Sequence, residues 1–531
     1  MTELFENLYL VRHGESTCNS VHRIAGTRDA PLTFLGRAQA RQAADDGRRT
    51  GFDRIYVSPL ARASETADII FGADAATDPR IVLDERLMER DFGSYTLQCK
   101  AILQRRHGVA EYERAMNGDS DTMTGGQTAA EFAGRVREFY DEELLPALRR
   151  GETVCVVSHK YVVELICRFI LGRTEADAFD LRLPNSQLLH GDRIHRYVRT
   201  ENRHRNMLYD WIVVNHPLVF CLGLAAGLLG NLAGLRFSAS PYLLLALLVA
   251  ASVITMCRIE LERAREFLTD PGIIRTTVVR YLGLPVLAAG VVAWLGPEQH
   301  RTAAIVAVFL ATPSSVVAMT VSRCLGGMIM PAFAHVLLSS LAAAAGFGVV
   351  LAVTVPDDAV RAVAIAASAA TGIVVVAYLL VRQLRLRAPI RTAKFGERNA
   401  YVAVLILTAF IVLVSLRIEL GSFVEYGPVA IGIAVGLRLL AMLLRRRNHL
   451  QALDDYLAMT YPNVFVIVVV AALTGDSPLE HVAIWCLLPM FALSWFDSRY
   501  ATSLVADGDD PRWSEALHIP ATGPGARSAL R

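Results

Sequence analysis

Two hydrophobic patterns divide this chain near residue 205. Before that point short apolar runs alternate with stretches whose apolar positions recur every three or four residues. "NLYLVRHG", "FDRIYVSP" and "ETVCVVSH" predict buried strands, while "LGRAQARQAADDGRR", "LARASETADIIFG" and "KYVVELICRFILG" predict helices. The alternation implies a three-layer α/β domain over residues 1–205, its sheet covered by helices on both faces. Beyond it the apolar runs lengthen to about 20 residues, enough for a helix to cross hydrocarbon. About ten spans are expected over residues 206–505, an all-α polytopic membrane domain, beginning near Ile212, Pro241, Ile274, Thr302, Met328, Val360, Asn399, Val424, Ala452 and Val482. Residues 506–531, rich in Gly, Pro, Ser and charge, read as a flexible cytoplasmic tail.

Basic residues fix the expected orientation. Loops assigned inside carry Arg258, Arg263, Arg265 and Arg275, then Arg323, then Arg382, Arg385, Arg387, Arg391, Lys394 and Arg398, then Arg445, Arg446 and Arg447. Outside loops hold Arg236, Arg301, Arg361 and Arg417. Both termini, and the α/β domain with them, are therefore expected on the cytoplasmic side of the inner membrane. The basic approach "RIHRYVRTENRHR" suits contact with anionic membrane lipid or phosphate substrates, or a plain positive-inside anchor.

Composition narrows the chemistry. A formal net charge of +2 over 531 residues provides no bulk electrostatic footprint for nucleic acid. Cysteines at 18, 99, 155, 167, 221, 257, 324 and 486 form no CxxC pair, and no His/Cys spacing suits zinc. Neither a disulfide framework, a metal centre nor a cofactor is expected. The opening segment lacks a basic n-region and a long apolar h-region, so no cleaved secretory signal is expected.

Reactive side chains in such sheets collect at the carboxyl ends of strands. Three expected strands end in Arg12-His13, Ser58-Pro59 and Ser158-His159. A phosphoryl group spreads negative charge over its oxygens, and forked guanidinium donors such as Arg12 and Arg62 suit its transfer. Histidine can attack phosphorus in line and hold it as a phosphoramidate, splitting one displacement into two. His13 is the candidate nucleophile and His159 a second contact to the same oxygens. Glu89, in "RLMERDFGSY", is the candidate carboxyl group for protonating the leaving alkoxide.

In chain order, "LVRHGESTCN", "DAPLTFLGRAQA", "YVSPLARASETADII", "LMERDFGSY", "TGGQTAAEFAGRV" and "VVSHKYVVELI" resemble the histidine phosphatase superfamily, the phosphoglycerate mutase-like phosphatases. The resemblance spans nearly all of residues 7–190. It implies a phosphate pocket of Arg12, His13, Arg62 and His159, with Glu89 as proton donor and Ser16 and Asn19 lining it. A phosphorylated small molecule is the implied substrate. Ser158-His159-Lys160 stands where relatives commonly have Ser-His-Gly, Gly125-Gly126-Gln127-Thr128 where they have Gly-Gly-Glu-Ser, and Cys18 at a usual tryptophan position. Lys160 either adds a cation near an anionic substrate or points to solvent. The short stretch between Glu89 and Gly125 lacks the insertions typical of cofactor-dependent mutases, which favours hydrolysis. The segment from "NGDSD" to "TGGQT" is the expected substrate lid.

Two expected spans are interrupted. "FLATPSSVVAMTVSR" breaks at Pro313 and "LAMTYPNVFVIVVV" at Pro462-Asn463, the fourth and ninth spans. With ten spans halved, both breaks take the fourth place of their half, the pattern of an inverted-repeat carrier with its site at the midplane. Ser314, Ser315, Thr460 and Asn463 would line that crossing. The other reading is a proline-kinked bundle that anchors. Residues 212–504 resemble the bile acid:sodium symporter family through "GIIRTTVVRYLGLPVLAAGVVAWL", "TPSSVVAMTVSRCLGGMIMPAFAHVLLSSL" and "DDYLAMTYPNVFVIVVVAAL". That family commonly holds sodium with a Ser-Asn pair, a Glu and a Gln-Asn pair. Here the positions read Ser315-Val316, Ala458 and Pro462-Asn463, so the strongest oxygen ligand for a hard cation is missing. The implied function joins a membrane-bound phosphomonoesterase to a carrier for a solute the sequence does not identify. The alternatives are a transporter with a regulatory histidine domain, and a phosphatase with an anchor.

Overall fold

The structure is a computed structural model and describes residues 3–72, 77–118, 122–173, 185–194 and 512–519, together with most of 211–354, 372–444 and 452–500. The chain divides into two compact units, Met1–Arg203 with Ala506–Arg531, and His204–Val505.

The first unit is built on five strands, β1 (Leu8–Arg12), β2 (Arg54–Val57), β3 (Ile81–Leu83), β4 (Val154–Ser158) and β5 (Leu188–His190), in the order β3-β2-β4-β1-β5. All neighbours are parallel except β5, which closes the β1 edge antiparallel. Side chains alternate across the sheet as the pleat demands. Leu8 and Leu10 of β1, Tyr56 of β2, and Val154 and Val156 of β4 pack on one face with Phe139 and Val163. Val11, Ile55, Val57, Cys155 and Val157 pack on the other with Ala63, Ala67 and Ile70. The central strand β4 is buried at every position. Helices Ala129–Phe139 and Lys160–Ile170 thus supply one layer, Phe34–Arg49 and Ala61–Phe71 the other. The six predicted elements all form, and the sheet is mixed because of β5.

Part of the segment expected to be a loose tail is packed. Arg512–Ala516 is a short helix, and Trp513 and Leu517 are buried within the first unit.

The second unit is largely helical. Pro271–Trp294 and Ser422–Leu443 are long and apolar enough to cross a membrane, and Pro389–Arg398 with Ala400–Ser415, bent by 51°, makes a third if counted as one span. The expected ten are not reached among the described residues. Leu218–Leu232, Pro241–Met256, Ile329–Ala343 and Pro478–Ala492 are apolar but short. The span expected near Val360 lies outside the described residues. Those expected near Thr302 and Ala452 are cut at Pro313 and Pro462, where proline removes a backbone donor and ends the helix. The 15 residues of Pro297–Ala311 rise roughly 22 Å, short of the hydrocarbon thickness of about 30 Å.

Candidate active site

Register creates the site. Arg12 of β1 pairs with Ser158 of β4, and Val57 of β2 pairs with Val157. The residue after each strand therefore emerges on one edge: His13, Ser58 and His159. His13 N–H donates to the Ser158 carbonyl at 2.9 Å, and Ser58 N–H to that of Val157 at 3.0 Å. The His13 and His159 rings lie 5.1 Å apart, centroid to centroid.

Gly14 lets the chain pass close against the backbone at Gly36. A Cβ at that position would stand 2.5 Å from the Gly36 carbonyl oxygen. Its N–H is tied to Thr66 Oγ1 at 3.0 Å. His13 Nδ1 lies 2.6 Å from the Gly14 carbonyl oxygen. A carbonyl only accepts, so Nδ1 carries the proton and Nε2 keeps its lone pair. Burial, reinforced by Arg62 and Arg12, holds His13 well below the ordinary imidazole value. His159, fully buried, is lowered by the same causes, and its Nε2 is 2.8 Å from Ser58 Oγ. Both rings are therefore neutral near pH 7.

Arg62 enters from the first turn of Ala61–Phe71. Its guanidinium donates to the carbonyls of Arg28 at 2.7 Å and Gly26 at 2.8 Å. Those contacts aim the fork while leaving Nε without a protein acceptor. Arg12 Nε and His159 Nδ1 are likewise buried and have no partner among the described residues. Three orphan polar atoms beside a neutral imidazole suit an anion's oxygens. Glu89 is buried and raised above the usual carboxylate range by desolvation, against the pull of the Arg90 N–H, Arg62 and Arg12. Its loop is pinned by Ser158 Oγ donating to the Leu87 carbonyl at 2.7 Å and by Arg135 donating to Arg86 and Met88 carbonyls at 2.8 and 2.9 Å. Arg12, His13, Arg62, Glu89 and His159 are thus brought together.

Residues 8–201 match the family model of the histidine phosphatase superfamily, branch 1. A 2,3-bisphosphoglycerate-dependent phosphoglycerate mutase of Methylobacterium radiotolerans is 32% identical over 178 residues, which cover 33% of this chain and 84% of that protein. The chain belongs to the histidine phosphatase superfamily. The mutase of the same name from Mesorhizobium japonicum is 29% identical, with 33% of this chain and 86% of that one covered. Among solved structures, a mycobacterial glucosyl-3-phosphoglycerate phosphatase in complex with VO3 is 26% identical, covering 32% of this chain and 83% of that one at a TM-score of 0.27. The match ends before the helical unit.

Other expected residues of the histidine phosphatase unit have more local partners. Ser16 and Asn19 form a capping box on the short helix Thr17–Ser20, Asn19 Oδ1 accepting from Ser16 N and Oγ at 3.2 and 3.0 Å. Lys160 pairs with Glu164 at 3.6 Å, its side chain 40% exposed, which is the solvent-facing alternative. Residues 122–128 of the expected lid pack on the loop after Glu89, Ser94 N–H donating to the Thr124 carbonyl and Gln127 N–H to that of Asp91. Residues 119–121 lie outside the described residues. Sequence reasoning missed Arg135 and Thr66. Neither adjoins a motif histidine, and each reaches the site only through the fold.

In the helical unit the two interruptions meet. Ser314 and Pro462 form an antiparallel bridge, Ser315 N–H donates to the Tyr461 carbonyl, and Asn463 N–H donates to that of Pro313, both at 2.8 Å. Ser314, Ser315, Thr460 and Asn463 are all buried there. Broken helices thereby satisfy each other's freed backbone groups.

Proposed function

We propose that this protein is a membrane-associated phosphomonoesterase that works through a phosphohistidine at His13. The observation that carries the reading is the neutral His13 ring, its Nδ1 committed to the Gly14 carbonyl and its Nε2 free beside Arg12 and Arg62. In the first step Nε2 bonds to phosphorus, the ester P–O bond breaks, and the Glu89 proton passes to the leaving oxygen. In the second, Glu89 takes a proton from water, the oxygen attacks phosphorus, and the P–N bond breaks to return neutral His13 and inorganic phosphate. Arg12, Arg62 and His159 hold the phosphoryl oxygens throughout, with Ser16 and Asn19 at the pocket wall. The substrate is a small cytosolic phosphomonoester. The relatives named as mutases pass the group to a second hydroxyl; the short stretch after Glu89 supports water as the acceptor instead.

The test uses the full chain purified in detergent, a panel of phosphometabolites and 18O-labelled water. Rapid acid-free quench should trap phosphohistidine, and released phosphate should carry one 18O. Phosphoryl transfer between substrate molecules without 18O in phosphate would make it a mutase, and no trapped species would end the reading.

A second reading concerns the helical unit and is favoured by the backbone pairing of Ser314 with Pro462. Two broken helices crossing back to back suit a carrier for an organic solute, as the resemblance to the bile acid:sodium symporter family implies. Solute flux in proteoliposomes that vanishes with Asn463→Ala would support the carrier, and no flux from the wild-type chain would leave the unit an anchor.

A further inference from the structure

The last described segment of the chain, residues 512–519, folds onto the loop that follows the RHG motif. Its turn is internally closed: Leu517 N–H donates to the Trp513 carbonyl at 2.9 Å, and Ile519 N–H to that of Ser514 at 2.7 Å. Trp513 is 1% exposed and Leu517 fully buried. The Arg23 guanidinium lies over the Trp513 ring, 3.3 Å from its centroid. Thr17 Oγ1 donates to the Leu517 carbonyl at 2.7 Å, across 500 residues of sequence.

Arg23 explains why such a platform matters. It is 1% exposed and, among the described residues, has no acidic partner, donating instead to the Leu97 carbonyl. Its Nη2 has no partner among the described residues. A buried cation without a counter-charge is costly, and an indole face is the best neutral surface for it. Arg23 is also fixed in the backbone, its N–H donating to the Cys18 carbonyl at 2.9 Å and its residue bridging Cys99. Three and five residues further on stand Gly26 and Arg28, whose carbonyls aim Arg62. A continuous line of contacts therefore runs from Trp513 through Arg23 and the 23–28 loop to the phosphate-binding guanidinium.

We infer that Trp513 is a positioning residue for the phosphate pocket: by covering Arg23 it holds the loop whose carbonyls orient Arg62. This rests on the phosphatase reading for its kinetic consequence but has a binding readout of its own. The experiment uses the full chain in detergent, p-nitrophenyl phosphate as substrate and orthovanadate as an equilibrium probe. Trp513→Ala should raise KM and the vanadate Kd together, on the order of tenfold, within the up to about 10²-fold that a displaced binding group costs. Its kcat should change less, because His13 and Glu89 are held by other elements. Trp513→Phe, which keeps a ring face, should restore most of the affinity. Arg23→Met removes the cation that needs covering, so adding Trp513→Ala on that background should shift KM little further.

Unchanged KM and Kd in Trp513→Ala would overturn the inference, as would higher activity, the mark of a segment that blocks the pocket. If Trp513→Ala does not fold, Trp513→Phe and the Arg23→Met pair decide: equal sensitivity to Trp513 loss with and without Arg23 would also overturn it. A wild-type chain that binds vanadate yet neither hydrolyses nor forms phosphohistidine would end the catalytic reading while the Kd comparison still judges Trp513. A wild type without vanadate binding would overturn both.

Discussion

Two buried arginine clusters, one in each unit, treat their charge in opposite ways. In the helical unit, Arg438 forks onto Asp497 at 3.0 and 2.6 Å, and Tyr456 and Tyr461 donate to the same carboxylate at 2.7 and 2.8 Å. Arg438 also donates to the Ala434 and Met490 carbonyls, so this cluster is complete within the protein. In the histidine phosphatase unit, Arg12, Arg62 and His159 each keep a buried nitrogen with no partner among the described residues. Saturated polar clusters hold a fold together, whereas converging unsatisfied ones hold a ligand. The contrast separates a structural from a chemical use of the same residue types.

Substitutions should sharpen that contrast. His13→Ala removes the nucleophile and should lower kcat by on the order of 10⁴-fold or more, with no phosphohistidine on quenching and an unchanged melting temperature. The opposite profile is expected of Arg438→Met. Leaving Asp497 buried without its fork should cost about 3–5 kcal/mol in the helical unit, read by detergent melting, while p-nitrophenyl phosphate turnover per folded molecule stays at the wild-type level. If hydrolysis instead fell with Arg438→Met, the division of labour would be wrong.

The smallest effect is one of pH. Burial depresses His13 and His159, so their contribution to stability is complete above the unfolded imidazole value of about 6.5 and is lost as pH falls through that value toward the folded ones. Replacing both with glutamine should flatten the loss of melting temperature between pH 8 and pH 5. Glu89 shifts the other way: its raised value keeps it protonated longer, and the first chemical step should slow only as pH rises through that value. Glu89→Gln should erase this alkaline limb.

Much of the histidine phosphatase superfamily unit is legible in sequence because its candidate site residues sit at strand ends, where a motif and the strand that presents it are contiguous. Arg12-His13 and Ser158-His159 fall out of that grammar directly. β3 and β5 have three residues each and carry no periodicity to detect. Arg135 and Trp513 act across long sequence separations, and no local pattern encodes such contacts. In the helical unit, hydropathy located the apolar stretches and the prolines at 313 and 462 located the breaks. It could not give helix lengths, since a proline ends a helix within a stretch that remains uniformly apolar. The pairing of Ser314 with Pro462 joins two such ends, which composition cannot reveal.

Chain order gives the last packed segment a further meaning. The strands of the α/β unit leave the ribosome first, and the unit receives Trp513 and Leu517 only after the whole of His204–Val505 has been synthesised. At about 5–20 residues per second that interval is on the order of tens of seconds. A nascent chain stalled before residue 513 therefore lacks the indole that shields Arg23. The phosphate pocket would then tighten its grip only after the apolar helices of the second unit have been made.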